Sequence, residues 1–192
     1  MRILFLDIET TGFSRDWDYI IEIAAILYDT ETRVEIDRFH EYIKPGKKIP
    51  DKIIKITGIT NYQVANCRSE DDVLRDFLEF VIMSKPEALG GHNVDAFDMS
   101  FINKRLSRYF LDTINFKTVD SLKLARKIKP PVGMSTATGR PSYKLESIAM
   151  GYGVEYQAHS AIEDVKANII VFHLMNDTTE SRESQVRTKL GF

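Results

Sequence analysis

Cysteine is almost missing from this chain: Cys67 is the only one in 192 residues. One thiol closes no internal disulfide, so a reducing, cytoplasmic setting is expected and Cys67 reads as an ordinary structural residue. Long apolar runs are missing as well. No stretch approaches the roughly 20 apolar residues of a membrane helix, and no secretory signal is expected ahead of the first strand, so no membrane partner is expected. With four histidines beside the single cysteine, a zinc site of the usual Cys/His type is poorly supplied. Net positive charge is lacking too. The formal charge is −2, which by itself does not suggest a nucleic-acid partner.

What is present is more specific. The chain is 43% hydrophobic, enough for a core, and its length suits one domain. Charge is segregated. Between Met99 and Lys144 stand ten basic residues and two acids, a local +8 that leaves −10 for the remainder. That division fits an anionic polymer on one side and metal-binding acids beside it, although solvated helix faces would also produce it. Residues 129–142 form the one clear long loop, with Pro130, Pro131, Gly133, Gly139 and Pro141 and no acid. Loops of this length in compact domains are often functional.

Ile3 to Ile8 is apolar except for Asp7 and reads as a strand buried on both faces. Tyr19–Tyr28 and Val34–Ile43 read as the next two strands, joined by short turns in an antiparallel meander. The period then changes. A short helix is expected over Pro50–Ile56 and a capping box over Thr60–Gln63. Val73, Leu74, Phe77, Leu78, Val81 and Ile82 recur at helical spacing after Ser69. A fourth strand is expected over Ala88–Asn93, a helix over Asp98–Tyr109, and a fifth strand over Ile114–Val119 with a helix to about Ile128. Further helices are expected over Lys144–Tyr152 and Ser160–Met175, then a polar, frayed tail from Asn176. The expected fold is α/β, with helices around a mixed sheet whose first strand is central.

Side chains alternate along a strand, so Asp7 and Glu9 share a face. Two carboxylates there repel and resist desolvation, and a divalent cation relieves both problems. A bare pair of this kind more often simply ends a strand in water; the following Thr10-Thr11-Gly12 and the other acids shift the balance. Asp98 opens a helix, where a carboxylate also gains from the helix dipole. Asp95 is the competing candidate, but Phe97 and Phe101 should pin the neighbours of Asp98 into the core. Ser160 and Glu163 have capping-box spacing, which puts His159 just outside the last helix and Asp164 near its first turn. His92 and Asn93 end the fourth strand and fit either the same site or a packing role. Four carboxylates with one histidine supply oxygen ligands for hard cations such as Mg²⁺ or Mn²⁺.

Phe5-Leu-Asp-Ile-Glu-Thr-Thr-Gly12, His92-Asn-Val-Asp-Ala-Phe-Asp98 and His159-Ser-Ala-Ile-Glu-Asp164 together resemble the three motifs of the DnaQ-like (DEDDh) 3′–5′ exonucleases, across residues 1–175. Thr57-Gly-Ile-Thr60 is similar to the family's segment after the third strand, and Tyr143–Ala149 to the helix before its last motif. The commonest second motif has two residues between Asn and the aromatic–Asp pair, whereas this chain has three, Val94, Asp95 and Ala96. Ser160 stands where a tyrosine-type relative would carry Tyr, and His159 holds the histidine-type position.

The resemblance implies a ribonuclease H-like mixed five-stranded sheet, its first three strands antiparallel, with residues 176–192 as a tail. It implies release of nucleoside monophosphates from single-stranded 3′ ends; DNA is the expected substrate, in proofreading, repair or phage-type DNA metabolism, with a DNA polymerase as a potential partner in trans, although the motifs do not distinguish the sugar. Asp7, Glu9, Asp98 and Asp164 would hold two Mg²⁺ or Mn²⁺ ions. His159 would be the general base. Thr10, Thr11 and Gly12 would present backbone groups to the terminal nucleotide, Phe13 would stack on a base, and His92 and Asn93 would line the site. Arg140 and Lys144 would track the phosphates. An RNA 3′-end trimmer and a non-catalytic nucleic-acid-binding module are the alternatives.

Overall fold

The computed structural model describes residues 1–135 and 138–190, with side chains through Thr178. Three long strands, β1 (Arg2–Thr10), β2 (Ile20–Asp29) and β3 (Val34–Lys44), pair antiparallel as the meander pattern implies. Short helices α1 (Asp51–Thr57) and α2 (Asn61–Val64) follow, the latter opened by the Thr60–Gln63 capping box. Then come β4 (Arg68–Ser69), α3 (Glu70–Ser84), β5 (Ala88–Gly91), α4 (Asp98–Arg108), β6 (Thr118–Asp120) and α5 (Ser121–Ile128). Helices α6 (Leu145–Gly151) and α7 (Ala161–Leu190) complete the chain. The sheet order is β4-β3-β2-β1-β5-β6, with β5 parallel to β1 and β6 parallel to β5.

The alternation along β1 explains how the sheet is covered. Leu4, Leu6 and Ile8 face α3 and α4 through Val73, Leu74, Phe77, Phe101, Ile102 and Leu106. Ile3 and Phe5 face α7 through Ala161, Ile162, Val165 and Ile169. Burying each such side chain contributes roughly 1.5–3 kcal/mol. Gly90 on β5 lets Phe5 lie flat across the neighbouring strand, because a Cβ there would come within 2.5 Å of the Phe5 ring. This packing fixes the carboxyl ends of β1 and β5 at the edge of α7, where the acids converge.

The strand expected over Ala88–Asn93 ends at Gly91, before His92 and Asn93, and three larger differences from the sequence expectation appear. Among the described residues the sheet has six strands rather than five, the extra one being the two-residue β4 beside Ile43 and Lys44. Ile114 does not begin a strand. Its backbone N–H and C=O are bonded by the Asn103 side chain at 2.8 and 2.9 Å, so it plugs the core as a loop and pairing starts only at Thr118. The last helix does not stop at Met175 but continues to Leu190. No glycine or proline interrupts it, and Asn176 and Thr178 bond back to the carbonyls of Phe172 and Leu174 at 3.0 and 2.6 Å. Among the described residues, no helix is long and apolar enough to cross a membrane.

Candidate active site

The β1 end carries Asp7 and Glu9 on the α7 side of the sheet, as the period of two requires. Asp164 comes to them from the first turns of α7. One carboxylate oxygen from each of Asp7, Glu9 and Asp164 lies within 4.8 Å of the others. Asp98 opens α4 and faces the same cleft, 2% exposed, with Oδ1 accepting the Ile8 N–H at 3.2 Å. Asp164 is held by the Tyr156 hydroxyl at 2.9 Å and the His159 backbone N–H at 2.8 Å.

These four acids sit against their own charge. Burial first, then repulsion from Asp98, Asp164 and Glu9, pushes the Asp7 carboxyl well above its usual range. Burial followed by Asp164, Glu22 and Asp98 pushes Glu9 up to about 8. Burial outweighs the bonds from backbone amides and lifts Asp98 to about 7. Burial also raises Asp164, against the pull of its bonds from Tyr156 and His159. A set of buried oxygen ligands that resists ionisation unless positive charge is added fits a divalent cation.

His159 adopts a left-handed φ of 68°, an uncommon conformation for a residue with a side chain. The bond from its own N–H to Asp164 holds it there. Its half-exposed ring lines the cleft, with Nε2 4.0 Å from Glu146 Oε2. The ring is thus free to meet something entering the cleft.

The turn after β1 closes on Asp18. Thr11 Oγ1 donates to Asp18 Oδ1 at 2.9 Å and accepts the Tyr19 N–H at 3.0 Å. Ser14 N–H donates to Asp18 Oδ2 at 2.9 Å. Gly12 is needed for close approach, because a Cβ would lie 2.5 Å from that same carboxylate. The closure pushes Phe13 outward to 79% exposure, edge-on to Phe97 at the cleft rim. Thr10, Gly12 and Phe13 line the cleft, whereas the Thr11 side chain, paired inward with Asp18, does not.

His92 lines the cleft, yet both ring nitrogens are engaged. Nε2 donates to the Tyr143 carbonyl at 3.0 Å, and Nδ1 meets Ser121 Oγ at 2.9 Å. Burial lowers its pKa, in keeping with a neutral ring that pins β5 to α5 and to the approach of α6. Asn93 turns the chain with φ 65° and lines the cleft beside it. Lys144 reaches the cleft; Arg140 lies outside it on the preceding loop, its carbonyl bonded to the Ser135 N–H.

The cleft measures about 850 Å³, and its apolar wall includes Ile53 and Ile56 of α1 with Phe13 and Phe97. Three residues at or beside it fall in no motif singled out above, Tyr156, Arg126 and the buried Glu22, while Glu146 lies in the Tyr143–Ala149 segment without having been singled out itself. Only Glu22 left a signal, as a lone acid in the apolar run of β2. Asp95 lies away from the acids and is ion-paired with Lys123. Burial works to raise its carboxyl, but bonds from Lys123 and Thr118 outweigh that and hold it below the usual range.

The exonuclease family (RNase_T) matches residues 4–172, and the chain belongs to it. This is the DnaQ-like class within the ribonuclease H-like fold that the three motifs resembled. The chain is 33% identical over 168 residues to the DNA polymerase III subunit epsilon of Aquifex aeolicus, covering 87% of this chain and 76% of that protein. It is 31% identical over 182 residues to the PolC-type DNA polymerase III of Pediococcus pentosaceus, covering 94% of this chain but only 12% of that protein. Zinc-bound E. coli Exonuclease I in complex with single-stranded DNA superposes with a TM-score of 0.75 at 26% identity, over 88% of this chain and 39% of that one.

Proposed function

We propose that this cleft is the active site of a 3′–5′ exonuclease that releases nucleoside monophosphates from single-stranded DNA ends. The observation that carries the reading is the convergence of Asp7, Glu9 and Asp164, with the His159 amide holding the last of them. Asp7, Glu9, Asp98 and Asp164 would hold two Mg²⁺ or Mn²⁺ ions. Bound there, such ions supply positive charge to the attacking and leaving oxygens of an in-line displacement at phosphorus. His159 takes the proton of the attacking water as the P–O bond to the penultimate 3′-oxygen breaks. Phe13 stacks on a base at the rim, in the manner of sequence-tolerant single-strand binding. Lys144 neutralises a backbone phosphate. Residues 1–175 form the catalytic domain on this reading. The likeness to an epsilon subunit supports proofreading beside a DNA polymerase in trans, in the cytoplasm.

The test is incubation with 3′- and 5′-labelled single strands of DNA and RNA, with and without Mg²⁺. Monophosphates should leave the 3′ end of DNA only when Mg²⁺ is added. A 3′-phosphate should block the reaction and a 5′ block should not. Cleavage of circular single strands would make the protein an endonuclease. Faster digestion of RNA would favour 3′-end trimming of RNA, and binding without release would make this a non-catalytic module.

The second motif gives a sharper expectation. Asp98→Ala should be inactive, because it removes a buried carboxylate facing the acids. Asp95→Ala should keep near wild-type turnover, because it removes only a partly exposed ion pair with Lys123. The reverse order in a single-turnover assay would exchange the two assignments.

A further inference from the structure

Glu22 is fully buried, and it is the direct cross-strand partner of Glu9. Like charges directly opposite on a sheet are destabilising, more so out of water. A carboxylate kept in that position has a specific use, and its bonds show which. Oε2 accepts the N–H of Ala161, the first residue of α7, at 3.1 Å. Oε1 is bonded to His40 Nε2 at 2.8 Å, and Tyr42 is the register partner of Glu22 on β3. Glu22 therefore joins β2 and β3 to the free amide end of α7 across 139 residues of sequence.

That helix end carries two groups of the site. His159 lies two residues before Ala161, and Asp164 three residues after it. The apolar contacts of Ala161, Ile162 and Val165 hold α7 on the sheet whether or not Glu22 is present. What Glu22 sets is the position of the first turn, and with it the approach of Asp164 to Asp7 and Glu9. We propose that Glu22, steadied by His40, is a positioning residue that seats the α7 N-terminus so that the three carboxylates meet. The inference rests on the nuclease reading for its kinetic arm and on the geometry alone for its metal-binding arm.

Three substitutions separate placement from charge. Glu22→Gln keeps the length: its amide oxygen can accept the Ala161 N–H while its NH₂ faces His40 Nε2. Glu22→Asp keeps the charge but is one methylene too short to reach Ala161. Glu22→Ala removes both. We would measure Mn²⁺ affinity by titration, kcat and KM on a 3′-labelled oligonucleotide, and Tm. Glu22→Gln should stay within about 3-fold of wild type in affinity and kcat. Glu22→Asp and Glu22→Ala should weaken Mn²⁺ binding about 10-fold or more and lower kcat about 10–100-fold, with little change in KM. Should the alanine variant not fold, the Asp and Gln pair still decides. Glu22→Asp outperforming Glu22→Gln would overturn the proposal in favour of a charge effect. Equal losses in the two, or no loss in any variant, would overturn it as well. If the wild-type protein releases no nucleotides, the nuclease reading falls while the order of Mn²⁺ affinities still tests the placement.

Discussion

Asp7→Asn is expected to cut turnover in Mg²⁺ by at least about 10³-fold, a loss of roughly 4 kcal/mol in transition-state stabilisation. Asp7 is the acid nearest the centre of the cluster in its electrostatics, feeling Asp98, Asp164, Glu9 and Glu22 together. The neutral amide leaves the shape of the site but weakens its hold on a cation. Without metal the same change should stabilise the protein, because it removes one of several buried charges that repel. The sign follows from linkage. Glu9 and Asp98 have folded pKa values of about 8 and about 7, above their ordinary carboxylate values. Between the unfolded and folded values the native state binds more protons, so metal-free stability falls as pH rises through that window. Melting curves from pH 5 to 9 should therefore show a falling Tm in wild type, a shallower fall in Asp7→Asn, and recovery on adding Mg²⁺ to wild type only. A mutant retaining more than about a tenth of wild-type turnover would remove Asp7 from the ligand set.

His159→Gln or His159→Ala should lose roughly 10²–10⁴-fold in turnover, the usual scale for general-base catalysis. The structure explains why this loss should leave metal binding intact. His159 supports Asp164 through its backbone N–H, a bond that any side chain at this position retains. The ring itself is directed toward Glu146 and the open cleft. Because Asn is among the residues with a side chain that adopt a left-handed φ most readily, His159→Asn serves as the backbone-neutral control and should lose as much activity. A base must be unprotonated to act, so the wild-type rate should rise with pH on the acid side and the mutants should lose that rising limb. On the proposed assignment the ring is not a ligand, so Mn²⁺ affinity measured on the same samples should change by less than about 3-fold. A matching loss of Mn²⁺ affinity would make His159 a ligand or a support, and the division of roles would be wrong.

The meander, the central first strand and the shared face of Asp7 and Glu9 were all legible before any coordinates, because a period of two is a property of adjacent residues. The position of His159 just outside the last helix was legible for the same reason, since capping signals span only three or four residues. The identity of each side chain's partner was not. Thr11 is expected to offer backbone groups to a nucleotide; that its hydroxyl is taken by Asp18 seven residues on is visible only in the fold. His92 reads like a site residue, yet Ser121 and Tyr143 use both of its nitrogens. Ile114 has the composition of a strand, yet Asn103 takes its backbone bonds. Glu22 reads as an interruption of an apolar strand, and only the arrival of α7 gives its carboxylate a partner. Which faces are apolar, where helices begin and which residue types could bind a cation are all properties of residues close along the chain. Tertiary structure decided which acids meet, which polar groups are already satisfied and which remain open to the cleft, because each buried donor or acceptor must find a partner that the fold brings from elsewhere in the chain.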